Sequence, residues 1–304
     1  MKQGPRGLLV RAPAKVNPWL RIGRKRPDGY HEIETVFATV GLFDEVRISA
    51  ARNLEFDVAG LPSPRDETNL MCRAAVLLRS AARTKLGARL ELTKAIPAGA
   101  GLGGGSADAA AALAGLNRFW RLGWSNRRLR TLGAPLGADV PFCLLGGAAL
   151  GTGTGDRLKP IPWRLKAWAA ILKPSVGSPT GPAYAAWDRM GNRQRRVCPA
   201  ATLKGVLNAL QGTDLGRMRA HNDFEAALFP ATTYLAGPRA RLIEAGATPA
   251  FLTGSGSASV GLFPTRSAAL QGLAAATGLR THRRPRSFRA VVPFTPLRIT
   301  ITPI

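Results

Sequence analysis

A chain of 304 residues, 45% hydrophobic and 20% charged, can bury a full core as one large or two modest domains. It has no run near the roughly 20 apolar residues of a membrane span. Its basic first 15 residues carry no apolar leader core, so cytoplasm is expected. The net charge of +25 raises nucleic acid as a partner, but the 34 arginines and 9 lysines are spread along the chain. No nucleic-acid-binding sequence pattern accompanies them, so no nucleic-acid partner is expected.

In chain order, residues 10–22 read as extended. A turn follows in "GRKRPDGY", then alternating strand segments in "HEIETVFATV", "DEVRISA" and "LEFDV". "TNLMCRAAVLLRSAARTKL" predicts a helix capped by Thr68, and "ARLELTKAI" a further strand. The stretch "PAGAGLGGGSADAAAALAGL" sets five glycines within residues 99–105 ahead of an alanine-rich helix, for which Ser106 is the expected cap. "SNRRLRTLG" predicts a short helix before "APLGADVPFCLLGG". The second half alternates: a strand in "KAWAAILKP", a helix in "SPTGPAYAAWDRM", a polar connection in "GNRQRRVCPA", then helices over 203–244. Strands in "AFLTGSGS" and "ASVGLF", a helix over 267–277 and a strand in "SFRAVVPFTP" complete an α+β pattern with a seam near 160–174.

Cys72, Cys143 and Cys198 are widely spaced, as are His31, His221 and His282, so neither a disulfide framework nor a metal cage is expected. The glycine stretch spells a dinucleotide fingerprint, yet no acid lies between Asp108 and Asp139 to meet a ribose, and no Lys-Ser/Thr follows to make a P-loop. Its surviving meaning is physical. Glycines let N–H groups converge, and a helix N-terminus favours an anion. Ser106 adds a hydroxyl for a phosphate oxygen or its magnesium. From the residues alone, Asp139 before Val-Pro reads as a turn or helix cap, and Lys15 as either solvent-facing on an edge strand or aimed into a site. Tyr30 and His31 offer a ring face and a hydrogen-bonding imidazole, or else a packed tyrosine and a surface histidine. Asp156 in "GTGTGD" reads equally as a turn residue. "NDFE" at 222–225 reads first as a cap, and "TGSGSA" at 253–258 as a second glycine loop.

"PAGAGLGGGSADAA" resembles the second motif of the GHMP kinases. "APAKVNPWLRIGRKRPDGYHEIETVF", "LGADVPFCLLGGAALGTGTGD" and "LTGSGSASVGLF" resemble, in the same order, further blocks of one branch of that family, whose acceptor is a cytidine-diphosphate sugar alcohol. The resemblance implies a two-domain fold: a ribosomal-protein-S5-like domain over 1–163 and a ferredoxin-like domain over 164–304. It implies ATP and Mg²⁺ as cofactors and a small-molecule acceptor, in a monomer or weak homodimer. By the same resemblance, Pro97, Ala98, Gly99, Ala100, Gly101, Leu102, Gly103, Gly104, Gly105, Ser106 and Ala107 hold ATP. Lys15 and Asp139 form the catalytic pair, and Asn17, Tyr30, His31, Asp139 and Asp156 meet the acceptor. Two departures are Pro18 in place of a leucine, odd in a strand unless at an edge or bulge, and Ala107 in place of a second serine. The alternatives are a homoserine- or mevalonate-type kinase and a basic nucleic-acid binder.

Overall fold

The computed structural model describes residues 7–190, 202–278 and 287–304. The expected polar connection at 191–200 lies outside them, as do Cys198 and His282. Strands β1 (Gly7–Lys25) and β2 (His31–Ser49) form one long antiparallel hairpin. The segments "HEIETVFATV" and "DEVRISA" are thus a single strand. The turn at 26–30 closes by Arg26 N–H donating to Tyr30 O at 2.7 Å, and by Tyr30 N–H donating to Asp28 Oδ1 at 3.1 Å. Pro18 falls where the register shifts between Val16 and Trp19, so its missing N–H costs no ladder bond.

β3 (Leu54–Gly60), α1 (Leu70–Ala81), β4 (Ala88–Lys94), α2 (Gly104–Phe119), α3 (Asn126–Gly133), α4 (Val140–Leu145), β5 (Ala148–Thr152) and β6 (Arg157–Pro160) follow. β4 and β5 pair antiparallel with β2, and β3 pairs parallel with β4. α1 begins one residue later than expected. Asn69, not Thr68, caps it by accepting from Met71 N–H, because the Thr68 hydroxyl is engaged by Asp66. The alanines of α2 do more than favour a helix, since they let it lie close on the sheet. A Cβ on Gly115 would stand 2.5 Å from the Ile48 side chain.

The second half holds β7 (Ala167–Lys173), α5 (Thr180–Arg189), α6 (Leu203–Gln211), β8 (His221–Asn222), α7 (Asp223–Leu228), α8 (Thr233–Glu244), β9 (Ala250–Leu252), β10 (Ser259–Phe263), α9 (Arg266–Thr277), β11 (Phe288–Phe294) and β12 (Thr300–Pro303). α8 and α9 cover β7, β9 and β10 with a core around Leu172, Leu242 and Phe263. Two features tie the halves. β11 pairs with β7 and meets β2 at Phe294–Val40, and β12 returns to pair with β1. The sheet therefore runs β12-β1-β2-β11-β7-β10-β9 without a break at 163/164. A separate apolar cluster packs Leu20 and Ile22 of β1 against Trp187 of α5 and Phe224 of α7.

Candidate active site

The glycine stretch reaches α2 through three left-handed residues, Gly99, Gly101 and Gly103, at φ of 61°, 76° and 71°. Gly103 is the cap, with no side chain bonding the helix end, so the first-turn N–H groups are left for a ligand. Ser106 is not the cap. The helix starts three residues earlier than expected, which places Ser106 in its first turn. A cavity of about 440 Å³ opens there, lined by Pro97, Ala98, Gly99, Ala100, Gly101, Gly103, Gly104, Gly105 and Ser106. Leu102 and Ala107 point away into the core and are fully buried.

Beneath this cavity lies a charge cluster that no motif announced. The Lys94 ammonium donates to Asp44 and, at 2.8 Å, to Asp108 Oδ2, all three side chains being at most 2% exposed. Asp44 Oδ1 also accepts from the N–H groups of Ala95 and Ile96 at 2.7 and 2.9 Å. Asp108 Oδ1 has no partner, and burial pushes the Asp108 carboxyl well above its ordinary range; Lys94 acts against that shift and Asp44 adds to it.

The second glycine loop packs on the first. Thr253 Oγ1 accepts from Asn17 N–H and donates to Gly101 O, both at 3.1 Å, and Ala258 N–H donates to Ala100 O at 3.0 Å. Asn222 does cap α7, as expected of "NDFE", by accepting from Phe224 N–H. Its amide also donates to Leu252 O and Gly254 O, anchoring the second loop. A Cβ on Gly101 would sit 1.9 Å from Thr253 O, which is backbone and cannot yield. Gly101→Ala is therefore expected to push the loops apart, weaken ATP binding at least about tenfold and lower the melting temperature by several degrees. Nucleotide titration and thermal unfolding of the variant check this.

A second cavity of about 650 Å³ shares Gly99, Gly101 and Ser106 with the first. Lys15, Asn17, Tyr30, His31, Asp139 and Asp156, drawn from distant parts of the chain, all line it. Lys15 is not on a wet edge. Its side chain is 5% exposed, its Nζ lies 3.0 Å from Asp139 Oδ2, and it donates to Asn17 Oδ1 at 2.8 Å. Asn17 in turn donates to Thr35 Oγ1 at 2.9 Å. Asp139 stands at the cap position of α4 but makes no capping bond; its carboxylate is spent on Lys15 instead. Asp156 has both of its readings, lining the cavity while Oδ1 accepts from Thr154 N–H and Oγ1.

Tyr30 is 67% exposed and His31 is buried, the reverse of a packed tyrosine beside a surface histidine. The His31 ring stacks on Tyr184 at 4.9 Å between centroids and 14° between planes, and its Nε2 lies 2.7 Å from Asp188 Oδ1. Burial, followed by the nearby Asp139 charge, pushes the Tyr184 phenol up to about 12, so it is a donor at neutral pH. Tyr184 and Asp188 are absent from the sequence-derived site. The available signal was their helical spacing of four in "YAAWD", which puts both on one face of α5.

Residues 69–147 match the family described as GHMP kinases N terminal domain. A protein of Gloeobacter violaceus named 4-diphosphocytidyl-2-C-methyl-D-erythritol kinase is 38% identical over 83% of this chain and 84% of its own. A protein of the same name from Nocardia farcinica is 37% identical over 95% of both chains. A crystal structure of 4-(cytidine 5'-diphospho)-2C-methyl-D-erythritol kinase superposes with a TM-score of 0.77 at 33% identity, covering 93% of this chain and 98% of that one. Agreement in sequence and in fold over nearly the whole length means that this chain is a kinase belonging to the 4-diphosphocytidyl-2-C-methyl-D-erythritol kinase family, within the GHMP kinases.

Proposed function

We propose that this kinase transfers the γ-phosphate of ATP to the 2-hydroxyl of 4-diphosphocytidyl-2-C-methyl-D-erythritol, a step of the non-mevalonate route to isoprenoid precursors. The observation that carries the reading is the Lys15–Asp139 pair in the acceptor cavity, which shares glycine-loop residues with the phosphate cavity. The glycine loop and the α2 N-terminus bind the ATP phosphates through N–H donors. Asp139 orients the acceptor hydroxyl and takes its proton. Lys15 pairs with Asp139 and offsets negative charge on the transferring phosphoryl group. Tyr30 and Tyr184, both lining the acceptor cavity, give a cytosine ring faces to stack on, and Asn17, His31 and Asp156 add polar contacts.

No cluster of three acidic, histidine or cysteine residues that could cage a metal occurs among the described residues. The Ser106 hydroxyl, which lines the phosphate cavity, would be the residue that helps hold Mg²⁺ together with the ATP phosphates. When bound, the ion supplies charge neutralisation between the β- and γ-phosphates.

The two halves, 1–163 and 164–304, would act as the two domains clasping ATP and acceptor. The small-molecule reading needs no nucleic acid, and no helix among the described residues is long and apolar enough to cross a membrane. We place the enzyme in the cytoplasm as a monomer or weak homodimer. Cys72 and Cys143, both free and buried, are consistent with a reducing compartment.

An ADP-release assay over a panel of acceptors tests the assignment. The cytidine diphosphate substrate is expected to exceed homoserine and mevalonate in kcat/KM by orders of magnitude. Tyr30→Ala should raise its KM about tenfold through lost stacking while leaving the ATP KM unchanged. Turnover of homoserine or mevalonate at a comparable rate would overturn the reading.

A further inference from the structure

Asp188 on α5 stands between two basic groups of the β1–β2 hairpin. Its Oδ2 is 2.7 Å from Lys25 Nζ and its Oδ1 is 2.7 Å from His31 Nε2. The Lys25 hydrogen bond, above all, holds the Asp188 carboxyl below its ordinary range, with His31 contributing in the same direction. An ionised carboxylate only accepts, so the proton of this contact sits on Nε2. In the neutral imidazole, Nδ1 is then bare and an acceptor. Stacking on Tyr184 fixes the plane of the ring, and both rings line the acceptor cavity together with Tyr30.

We propose that Asp188 is a positioning residue that sets the tautomer of His31, so that Nδ1 accepts from the exocyclic amino group of a cytosine and disfavours the carbonyl that uracil carries in its place. The inference rests on the acceptor assignment above and adds base selectivity to it. Asp188 itself touches no substrate; it acts through His31. Its attachment also joins α5, which carries Tyr184, to the hairpin that carries Tyr30, so one carboxylate aligns the polar and the stacking parts of the base site.

The first measurement uses the unmodified protein, titrated with CMP and with UMP. CMP should bind about tenfold more tightly, the effect of one hydrogen bond made against one acceptor facing another. Equal affinities overturn the proposal. The second uses Asp188→Asn, whose amide presents either an oxygen or an NH₂ to the ring and so no longer dictates the tautomer. Its acceptor KM should rise about tenfold, its ATP KM should stay within about twofold, and its CMP-over-UMP ratio should fall towards one. An unchanged ratio, or an equal rise in both KM values, overturns the proposal. Lys25→Ala removes the ion pair between Lys25 and Asp188 and should leave the ratio as in the unmodified protein; a loss as large as in Asp188→Asn also overturns it. Failure of the unmodified protein to phosphorylate the cytidine diphosphate substrate would sink the acceptor assignment separately, because the CMP and UMP titrations need no turnover.

Discussion

Asp139→Ala is expected to lower kcat by about three orders of magnitude while leaving the ATP dissociation constant within about threefold. Asp139 heads α4 without bonding its backbone, so its loss removes no cap. What it does is hold the Lys15 ammonium at 3.0 Å on the wall of the acceptor cavity. In the role proposed for Asp139, the alanine variant lacks the group that takes the proton from the attacking hydroxyl. It also leaves Lys15, 5% exposed at its side chain, with Asn17 as its one side-chain hydrogen-bond partner among the described residues. The glycine loop and α2 N-terminus, the proposed phosphate site, present backbone donors that the substitution does not touch. Single-turnover kinetics together with equilibrium ATP binding separate the two effects, and turnover near the normal rate would refute the assigned role.

Lys94→Met should cost about 3–5 kcal/mol of stability, because it strands two carboxylates in a space built around one ammonium. Asp44 keeps two backbone N–H donors, whereas Asp108 already has one bare oxygen and would lose its single cationic neighbour. The pH dependence follows from the direction of the Asp108 shift. A carboxyl raised above its unfolded value disfavours the folded state as pH rises through the folded value, and ceases to do so once protonated. Removing Lys94 takes away the cation that opposes this rise. The deficit of the variant should therefore be larger at pH 8 than at pH 5.5, and adding Asp108→Asn should recover part of it. Urea unfolding at the two pH values decides the matter, and a deficit independent of pH would show that Asp108 is not the stranded charge.

The α+β class and most elements were legible because they rest on local pattern. Alternation marks β1 to β4, and the alanine run marks α2. The errors are local as well. Thr68 and Ser106 are good capping residues by type, but the Asp66 turn claims one hydroxyl, and the left-handed Gly103 starts α2 before the other. β12 escaped notice because "TITP" is short and is a strand only by virtue of its pairing with β1. Among the candidate site residues, Gly99 and Gly101 could be read from sequence because a bare backbone near an anion is a local property. Tyr184 and Asp188 could not, since a spacing of four puts them on one face of a helix but does not say what packs against that face.

By itself the sequence determined most of the elements, the glycine turn ahead of α2 and, through its ordered motifs, the kinase family. Only the tertiary structure decided the partnerships: Lys15 with Asp139, His31 with Asp188 and Tyr184, and Lys94 between Asp44 and Asp108. The physical reason is that the chemistry of a charged group depends on its burial and on the charges within a few ångströms of it. Those neighbours are brought together by the pairing of β2 with β1 and β4, by the packing of α2 and α4 on that sheet and by the docking of α5, from parts of the chain that no local pattern links.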